Sequence, residues 1–362
     1  MNVYLDYAAT APLSGEVLEK MLPLFKENFA NPSSLHAYGR RAAYAVSEAR
    51  DRVAAVLGVH PLEVYFTSGG TEADNWALSC MGEGDLCVSA IEHSAALEAA
   101  KAVRNATFIA PNQDGIVTAE RVKEALTADM GLVCVMAVNN ETGSIQPVRE
   151  ISALCKEKGV LFFSDCVQAA LPCDLKELAS LCDGLSLSAH KVYGPKGTGA
   201  LVVKKSVKLR PLIRGGEQER SLRGGTLNAA GIVGFSYALE SAQREREAFC
   251  AHTGRLRDLF EEKVKASLGE RVQIDGTNRV PNISHLTVQG GEALLHKLDL
   301  AGVAASGGAA CSAHSALPSH VLLAMGRSEE EAKHGIRFSF GKDTSEEEVL
   351  FAAQALIDCC KA

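Results

Sequence analysis

Val64-Tyr65-Phe66-Thr67-Ser68-Gly69-Gly70-Thr71-Glu72 is the stretch that decides the fold. Four residues of strand-forming type run into two glycines, and a segment of helical period, Thr71–Cys80, follows. The alternation repeats as far as about residue 205. Apolar runs recur at Leu86–Ala90, Thr107–Ala110, Leu132–Val138, Val160–Ser164, Leu185–Ser188 and Ala200–Val203, with helical segments such as Ser94–Val103, Ala119–Leu126 and Val148–Lys158 between them. This pattern predicts an α/β fold around a mostly parallel seven-stranded sheet covered on both faces.

After Thr226 the texture changes. A long helical stretch carries charges through Gln243–Glu247 and Arg255–Lys265, then gives way to mixed strands and helices ending in Ser345–Cys359. We expect a large domain over 13–248 and a smaller α+β domain formed by 249–362 together with 1–12.

The chain has 362 residues, of which 47% are hydrophobic and 22% charged, enough to bury one large core or two fused ones. Against 44 acidic residues stand 37 basic ones, giving a net charge of −7 without a basic block, so nucleic acid is not expected as a partner. The longest clean apolar stretch, Gly131–Val138, is far short of the roughly 20 residues a membrane span needs. Met1 leads straight into an acidic, aromatic segment rather than a signal peptide, so a cytoplasmic protein is expected. Eleven cysteines without a C-x-x-C pair suggest neither a disulfide framework nor a zinc site, and most are read as small buried hydrophobes. No metal is expected.

In an open parallel sheet, ligands bind beyond the carboxyl ends of the strands. The residues that follow the runs are Ser68–Glu72, Glu92-His93, Asn139-Asn140-Glu141, Asp165 with Gln168, and Ala189-His190-Lys191. Ser68–Thr71 joins hydroxyls and glycines to a helix start, which suits an anion, although an ordinary capped helix reads the same way. Lys191 precedes Gly194-Pro195-Lys196-Gly197, a rigid turn able to hold its amine inward, where it can form a Schiff base. Asp165 suits a cationic ring nitrogen or a helix cap. His93 could lie over a planar ring or simply pack, and Asn140 and Gln168 could bind polar ligand atoms or brace loops.

Cys311 lies in Ser306-Gly307-Gly308-Ala309-Ala310-Cys311-Ser312-Ala313-His314, a run with little to bury, which favours a reactive over a structural thiol. His314 is a candidate neighbour. Arg337 is the only charge in Gly335–Phe340 and needs an acceptor, either a substrate carboxylate or an internal acid.

These residues, with Tyr4–Thr10, Asn31–His36, Thr67–Asn75, Asn139–Gly143, Ser188–Gly197 and Arg223–Thr226, resemble the cysteine desulfurases of the class V aminotransferase group, fold-type I pyridoxal phosphate enzymes. The resemblance implies that Lys191 carries the cofactor, His93 stacks on its ring, Asp165 pairs with the pyridine nitrogen and Gln168 contacts the phenolic oxygen. It implies phosphate contacts from Gly70, Thr71, Ser188 and His190, and from Thr226 across a homodimer. Asn140 and Arg337 would hold the carboxylate of L-cysteine, and Cys311 would accept its sulfur, leaving alanine and a persulfide for a sulfur-acceptor protein.

The chain departs from the family pattern at Gly308-Ala309-Ala310 and at Asp165-Cys166-Val167-Gln168. It also runs only to Ala362, so the terminal extension by which some members dock an iron–sulfur scaffold is not expected. Selenocysteine lyase or another carbon–sulfur lyase is the nearest rival, and a non-catalytic sulfur carrier a more distant one. A nicotinamide enzyme is disfavoured because no G-x-G-x-x-G follows an early strand.

Overall fold

The structure, a computed structural model, describes residues 1–308 and 317–361. Strand β1 (Val3–Tyr4) opens the chain and helices α1 (Gly15–Lys26) and α2 (Ala37–Leu57) follow. Seven strands build the central sheet: β2 (Val64–Thr67), β3 (Asp85–Ser89), β4 (Ala106–Ile109), β5 (Met130–Cys134), β6 (Leu161–Asp165), β7 (Gly184–Ser188) and β8 (Gly199–Val203). Their order is β2-β8-β7-β6-β5-β3-β4. Neighbours from β7 to β4 pair in parallel, whereas β8 runs antiparallel to both β7 and β2. The expected sheet is present, with one strand reversed.

Strands β5 to β8 are almost wholly buried because helices cover both faces, which is why they read as near-continuous apolar runs rather than alternating ones. The run predicted to reach Val138 ends as a strand at Cys134, although Val135 and Ala137 still donate to the carbonyls of Phe163 and Asp165. On α2, Ala42, Val46, Ala49 and Val53 form a buried stripe at helical spacing that packs on the helix Ala229–Arg244. Helix α3 (Gly70–Cys80) turns Ala73, Asp74, Trp76 and Ala77 inward, and the Trp76 indole donates to the Arg210 carbonyl at 2.7 Å, so its polar end is satisfied.

The topology places the site. From β3 the chain moves outward to β4, then crosses back to β5 and proceeds through β6 to β7. Connections therefore diverge between β3 and β5, and a crevice opens beyond their carboxyl ends. His93 follows β3 at the start of helix α4 (Ser94–Val103), Asn140 lies beyond β5, Asp165 ends β6, and Ser188 ends β7 just before Lys191.

A separate apolar core gathers Val3, Leu5, Phe260, Leu286, Ile336, Phe338, Val349 and Leu356. It surrounds strands β9 (Val272–Ile274), β10 (Ile283–Val288), β11 (Val303–Ala304) and β12 (Gly335–Ser339). The antiparallel order is β12-β10-β9, while β11 pairs with β1 in parallel. Phe260, on the helix Arg246–Leu268, packs against Phe338 with ring centroids 4.6 Å apart and the planes tilted by 46°.

Ten cysteines fall within the described residues; none is in a disulfide and six are buried. Among the described residues no helix is long and apolar enough to cross a membrane, and no group of His, Cys, Asp or Glu could hold a metal ion.

Candidate active site

Lys191 closes a tight turn after β7. Val192 and Gly194 both donate to the Ala189 carbonyl, and a Cβ at Gly194 would come within 2.8 Å of that oxygen, so the turn requires glycine there. Tyr193 adopts φ 63°, unusual for a bulky residue, and is held by burial and by its hydroxyl accepting the Lys342 N–H at 2.7 Å. The Lys191 amine is consequently directed inward, donating to the carbonyls of Ala8 at 2.6 Å and Ala9 at 2.9 Å.

The amine lines a cavity of about 190 Å³ that it shares with Gly70, Thr71, His93, Asn140, Asp165, Gln168, Ser188, His190 and Arg337. Eleven of the twelve residues named from the sequence for the site are described; ten of them meet here, and Thr226 does not, being exposed outside this cavity. Cys311 and its candidate neighbour His314 lie outside the described residues. A larger cavity of about 300 Å³ beside α1 contains none of the site residues.

At one end of the cavity, α3 begins at Gly70 with no side-chain cap, leaving first-turn N–H groups and the positive end of the helix for an anion. A Cβ at Gly70 would lie 2.8 Å from Val167 Cγ2, so the close approach of the helix to the β6 turn needs a glycine. Glu72 reaches back to accept the Ser68 N–H and pairs with Arg223 through both oxygens, at 2.9 and 3.0 Å. Burial raises the Glu72 carboxyl, but Arg223 and Ser68 more than offset this and hold it below its usual value. The same pair fastens the loop leading to Thr226 onto α3. His190 donates to or accepts from Thr10 Oγ1 at 3.2 Å, and burial, then Lys191 and Lys196, lower its pKa to about 4. It is neutral at physiological pH.

Toward the other end sits Asp165, whose Oδ1 accepts the Val167 N–H at 2.8 Å. Burial raises its pKa against the opposing pull of that N–H, His93 and Lys191. A second buried acid, Asp74, accepts the Ser186 hydroxyl at 2.6 Å, and Ser186 is the register partner of Asp165 across β6 and β7. Desolvation and then Asp165 push the Asp74 carboxyl well up. Glu92 is likewise raised by burial, and it accepts the Met136 N–H at 2.7 Å.

His93 caps α4, its Nδ1 accepting the Ala95 N–H at 3.1 Å, which fixes the ring's orientation. Gln168 donates to the Ala8 carbonyl at 2.8 Å. Arg337 is 1% exposed and donates to the Asn140 carbonyl at 2.6 Å and to Asp6 at 2.9 Å. The internal acid expected as one alternative is thus present. Even so, among the described residues Arg337 Nε and Asn140 Oδ1 are buried without a hydrogen-bond partner.

This arrangement fits pyridoxal phosphate: an open helix start with Thr71, Ser188 and His190 for a phosphate, an inward lysine for the aldehyde, and a buried acid for a ring nitrogen. Sequence reasoning missed Asp6, Asp74 and the carbonyls of Ala8 and Ala9. For Asp74 a signal existed, since it is the lone acid on the otherwise apolar face Ala73, Trp76, Ala77.

A fold and site of this kind define an α/β enzyme built to hold a phosphate-bearing aldehyde cofactor. The class V aminotransferase model matches residues 3–351, and the chain belongs to that family, whose members depend on pyridoxal phosphate. The cysteine desulfurase IscS of Dictyoglomus turgidum is 42% identical, the match covering 98% of this chain and 93% of that protein. A solved NifS-like protein superposes with a TM-score of 0.90 at 34% identity over 99% of both chains. The structure of SspA in complex with cysteine does so with 0.80 at 34% identity, covering 93% of this chain and 98% of that one.

Proposed function

We propose that this chain is a pyridoxal-phosphate-dependent cysteine desulfurase that converts L-cysteine to L-alanine and places the sulfur on Cys311 as a persulfide. One observation carries the reading: Lys191, Asp165, His93, Asn140 and Arg337 line one cavity in a chain similar over nearly its full length to proteins bearing that activity's name. The cofactor, when bound, supplies an electron sink that acidifies the substrate Cα–H.

The chain's own residues do the rest. Gly70, Thr71, Ser188 and His190 bind the phosphate, Asp165 holds the ring nitrogen's charge, and Gln168 meets the phenolic oxygen. Lys191 carries the aldehyde and moves the Cα proton. Asn140 and Arg337 orient the substrate carboxylate, and His93 takes the substrate thiol proton. Cys311 then attacks the substrate sulfur: the S–S bond forms as the Cβ–S bond breaks, and Cβ gains a proton. Oxidation of the thiol to a persulfide balances reduction of Cβ to a methyl group, so no outside oxidant is required.

Thr226 completes the phosphate site of a second copy in a homodimer. Supporting this are its exposure and the exposed Phe25, Phe29, Leu35, Tyr38 and Tyr44, apolar surface a monomer would rarely leave bare. The Phe260–Phe338 core, drawn from residues 3–5 and 256–357, supports a small domain at 1–12 with 249–362 beside a large one at 13–248, with Val280, Ile283, Val321 and Leu322 of the small domain packing into the large core where the two meet. The persulfide passes to a sulfur-acceptor protein in iron–sulfur cluster, thiocofactor or tRNA sulfur chemistry in the cytoplasm.

The test is alanine formation by wild type, Lys191→Ala and Cys311→Ala. Both substitutions are expected to abolish sustained turnover with cysteine. Full activity in Cys311→Ala would overturn the persulfide step.

A further inference from the structure

The loop between β8 and the helix Ala229–Arg244 is anchored by two largely buried ion pairs, and the chemistry above gives neither a task. In the first, Glu219 accepts from Arg50 at 2.9 Å and from the Phe66 N–H at 3.0 Å, which ties the loop to β2, the strand that leads into Ser68. In the second, Arg223 donates through Nε and Nη2 to the two oxygens of Glu72 at 2.9 and 3.0 Å, with side chains only 18% and 10% exposed, so water screens this pair less than a surface one. Gly224 and Gly225 stand between Arg223 and Thr226, and both are held. The Gly224 N–H donates to the Ile213 carbonyl at 2.8 Å and the Gly225 N–H to Gln218 Oε1 at 3.1 Å. Beyond Thr226, Asn228 caps the next helix, its Oδ1 accepting the Gly231 N–H at 3.0 Å. Thr226 is thus presented outward from a braced loop, outside the cavity of its own chain, whereas Glu72 adjoins Thr71, which lines that cavity.

We propose that Glu72 and Arg223 are a positioning pair for the phosphate site of a neighbouring copy: the ion pair made within one chain sets Thr226 where the other chain's cofactor phosphate receives its hydroxyl. This inference rests on the reading of Thr226 as a residue shared across a homodimer. The physical reason is pre-organisation. A hydroxyl on an exposed loop binds an anion well when the loop's freedom has been lost beforehand, and with two glycines before Thr226 local sterics do not supply that loss. A bidentate guanidinium–carboxylate pair fixes direction as well as distance. Glu72 is itself held by the Ser68 N–H at 2.9 Å, so the loop takes its reference from the first turn of α3.

The test is the cofactor affinity of the apoprotein, titrated by the yellow absorbance that only a Lys191-bearing site gives, in homodimers and in heterodimers purified through two different tags. Arg223→Met and Thr226→Ala homodimers are each expected to bind pyridoxal phosphate about tenfold more weakly, the low end of what a hydrogen bond to a charged group contributes. The variant carrying both substitutions should bind no more weakly than the weaker single one, because both remove the same contact. Pairing an Arg223→Met chain with a Lys191→Ala chain leaves one Lys191 site, served by an intact Arg223 across the dimer, and should restore wild-type affinity. Pairing a wild-type chain with a Lys191→Ala/Arg223→Met chain should keep the loss.

The reverse pattern, with the loss following the chain that carries Lys191, would make the pair a support of its own α3 and overturn the proposal, as would additive losses or unaltered affinity in Arg223→Met. Should Arg223→Met not fold, Glu72→Gln keeps an acceptor for the Ser68 N–H but removes the charge facing Arg223, and a loss of about threefold acting across the dimer is expected from it. Thr226→Ala is the separating control. Wild-type affinity in its homodimer, or a chain that sediments as a monomer, defeats the parent reading, whereas a loss there beside an unaltered Arg223→Met defeats only the positioning role.

Discussion

Asp6→Ala tests how the second core and the site are joined. Arg337 sits on β12, buried to 1% exposure, and among the described residues its only side-chain partner at hydrogen-bond distance is Asp6 at 2.9 Å, the other contact being the Asn140 carbonyl. Removing Asp6 leaves a buried guanidinium half-satisfied. Breaking a buried pair costs about 3–5 kcal/mol, and because the Asp6 side chain is 19% exposed, so that water can replace part of it, we expect about 3 kcal/mol. Arg337→Met removes the charge itself and replaces it with apolar volume, so its cost should be nearer 1 kcal/mol, and the double variant should cost less than the sum. The loss is local to Gly335–Ser339 and its neighbour β10, so the assay is amide hydrogen exchange of that segment by mass spectrometry. At 1.36 kcal/mol per decade, Asp6→Ala should speed exchange there by roughly two orders of magnitude, with the central sheet unaffected. Acceleration under fivefold, or costs that simply add in the double variant, would refute the claim that Asp6 neutralises Arg337.

Three further outcomes follow from the site. Gly70→Ala should weaken pyridoxal phosphate binding to the apoprotein at least tenfold by absorbance titration, since the new Cβ meets the stiff Val167 at 2.8 Å, and Val167→Ala should restore it; unaltered binding in Gly70→Ala would contradict the packing argument. Asp74 has a raised folded pKa, so its contribution to stability is present below the unfolded carboxyl value near 4 and is lost as pH rises through the folded one. Asp74→Asn should therefore flatten the decline in apoprotein melting temperature as pH rises above the unfolded carboxyl value, and a profile parallel to wild type would reject this. For His190 the folded pKa of about 4 lies below the unfolded 6.5, so its stabilisation is present above 6.5 and lost as pH falls toward 4. Carbon-13 NMR of labelled imidazoles should find it neutral at pH 5, and a midpoint near 6.5 would be the contrary result.

Much of this site was legible because the strand-end rule concerns residues adjacent in sequence. His93, Asp165 and Lys191 each follow an apolar run by only a residue or a few, Ser188 ends one, and the runs themselves are visible. What escaped the sequence is long-range. Asp6 meets Arg337 across 331 positions, and the carbonyls of Ala8 and Ala9 hold Lys191 through backbone atoms that carry no residue signature. The reversal of β8 was hidden as well, because a strand buried between β7 and β2 reads the same in either direction. Most opaque is Glu219–Ser221, three successive non-glycine residues at φ 45°, 60° and 64°. The strain persists because buried Glu219 accepts from Arg50 at 2.9 Å and from the Phe66 N–H at 3.0 Å, contacts between segments more than 150 residues apart.

The central claim is that Lys191 carries the cofactor in the cavity where Asp165 and His93 meet it. Borohydride reduction of the holoenzyme followed by peptide mapping measures this directly. The account requires the added cofactor mass on the peptide containing Lys191, and its loss, together with the yellow absorbance, in Lys191→Ala. Label on a different lysine, or a protein that takes up none, would contradict it.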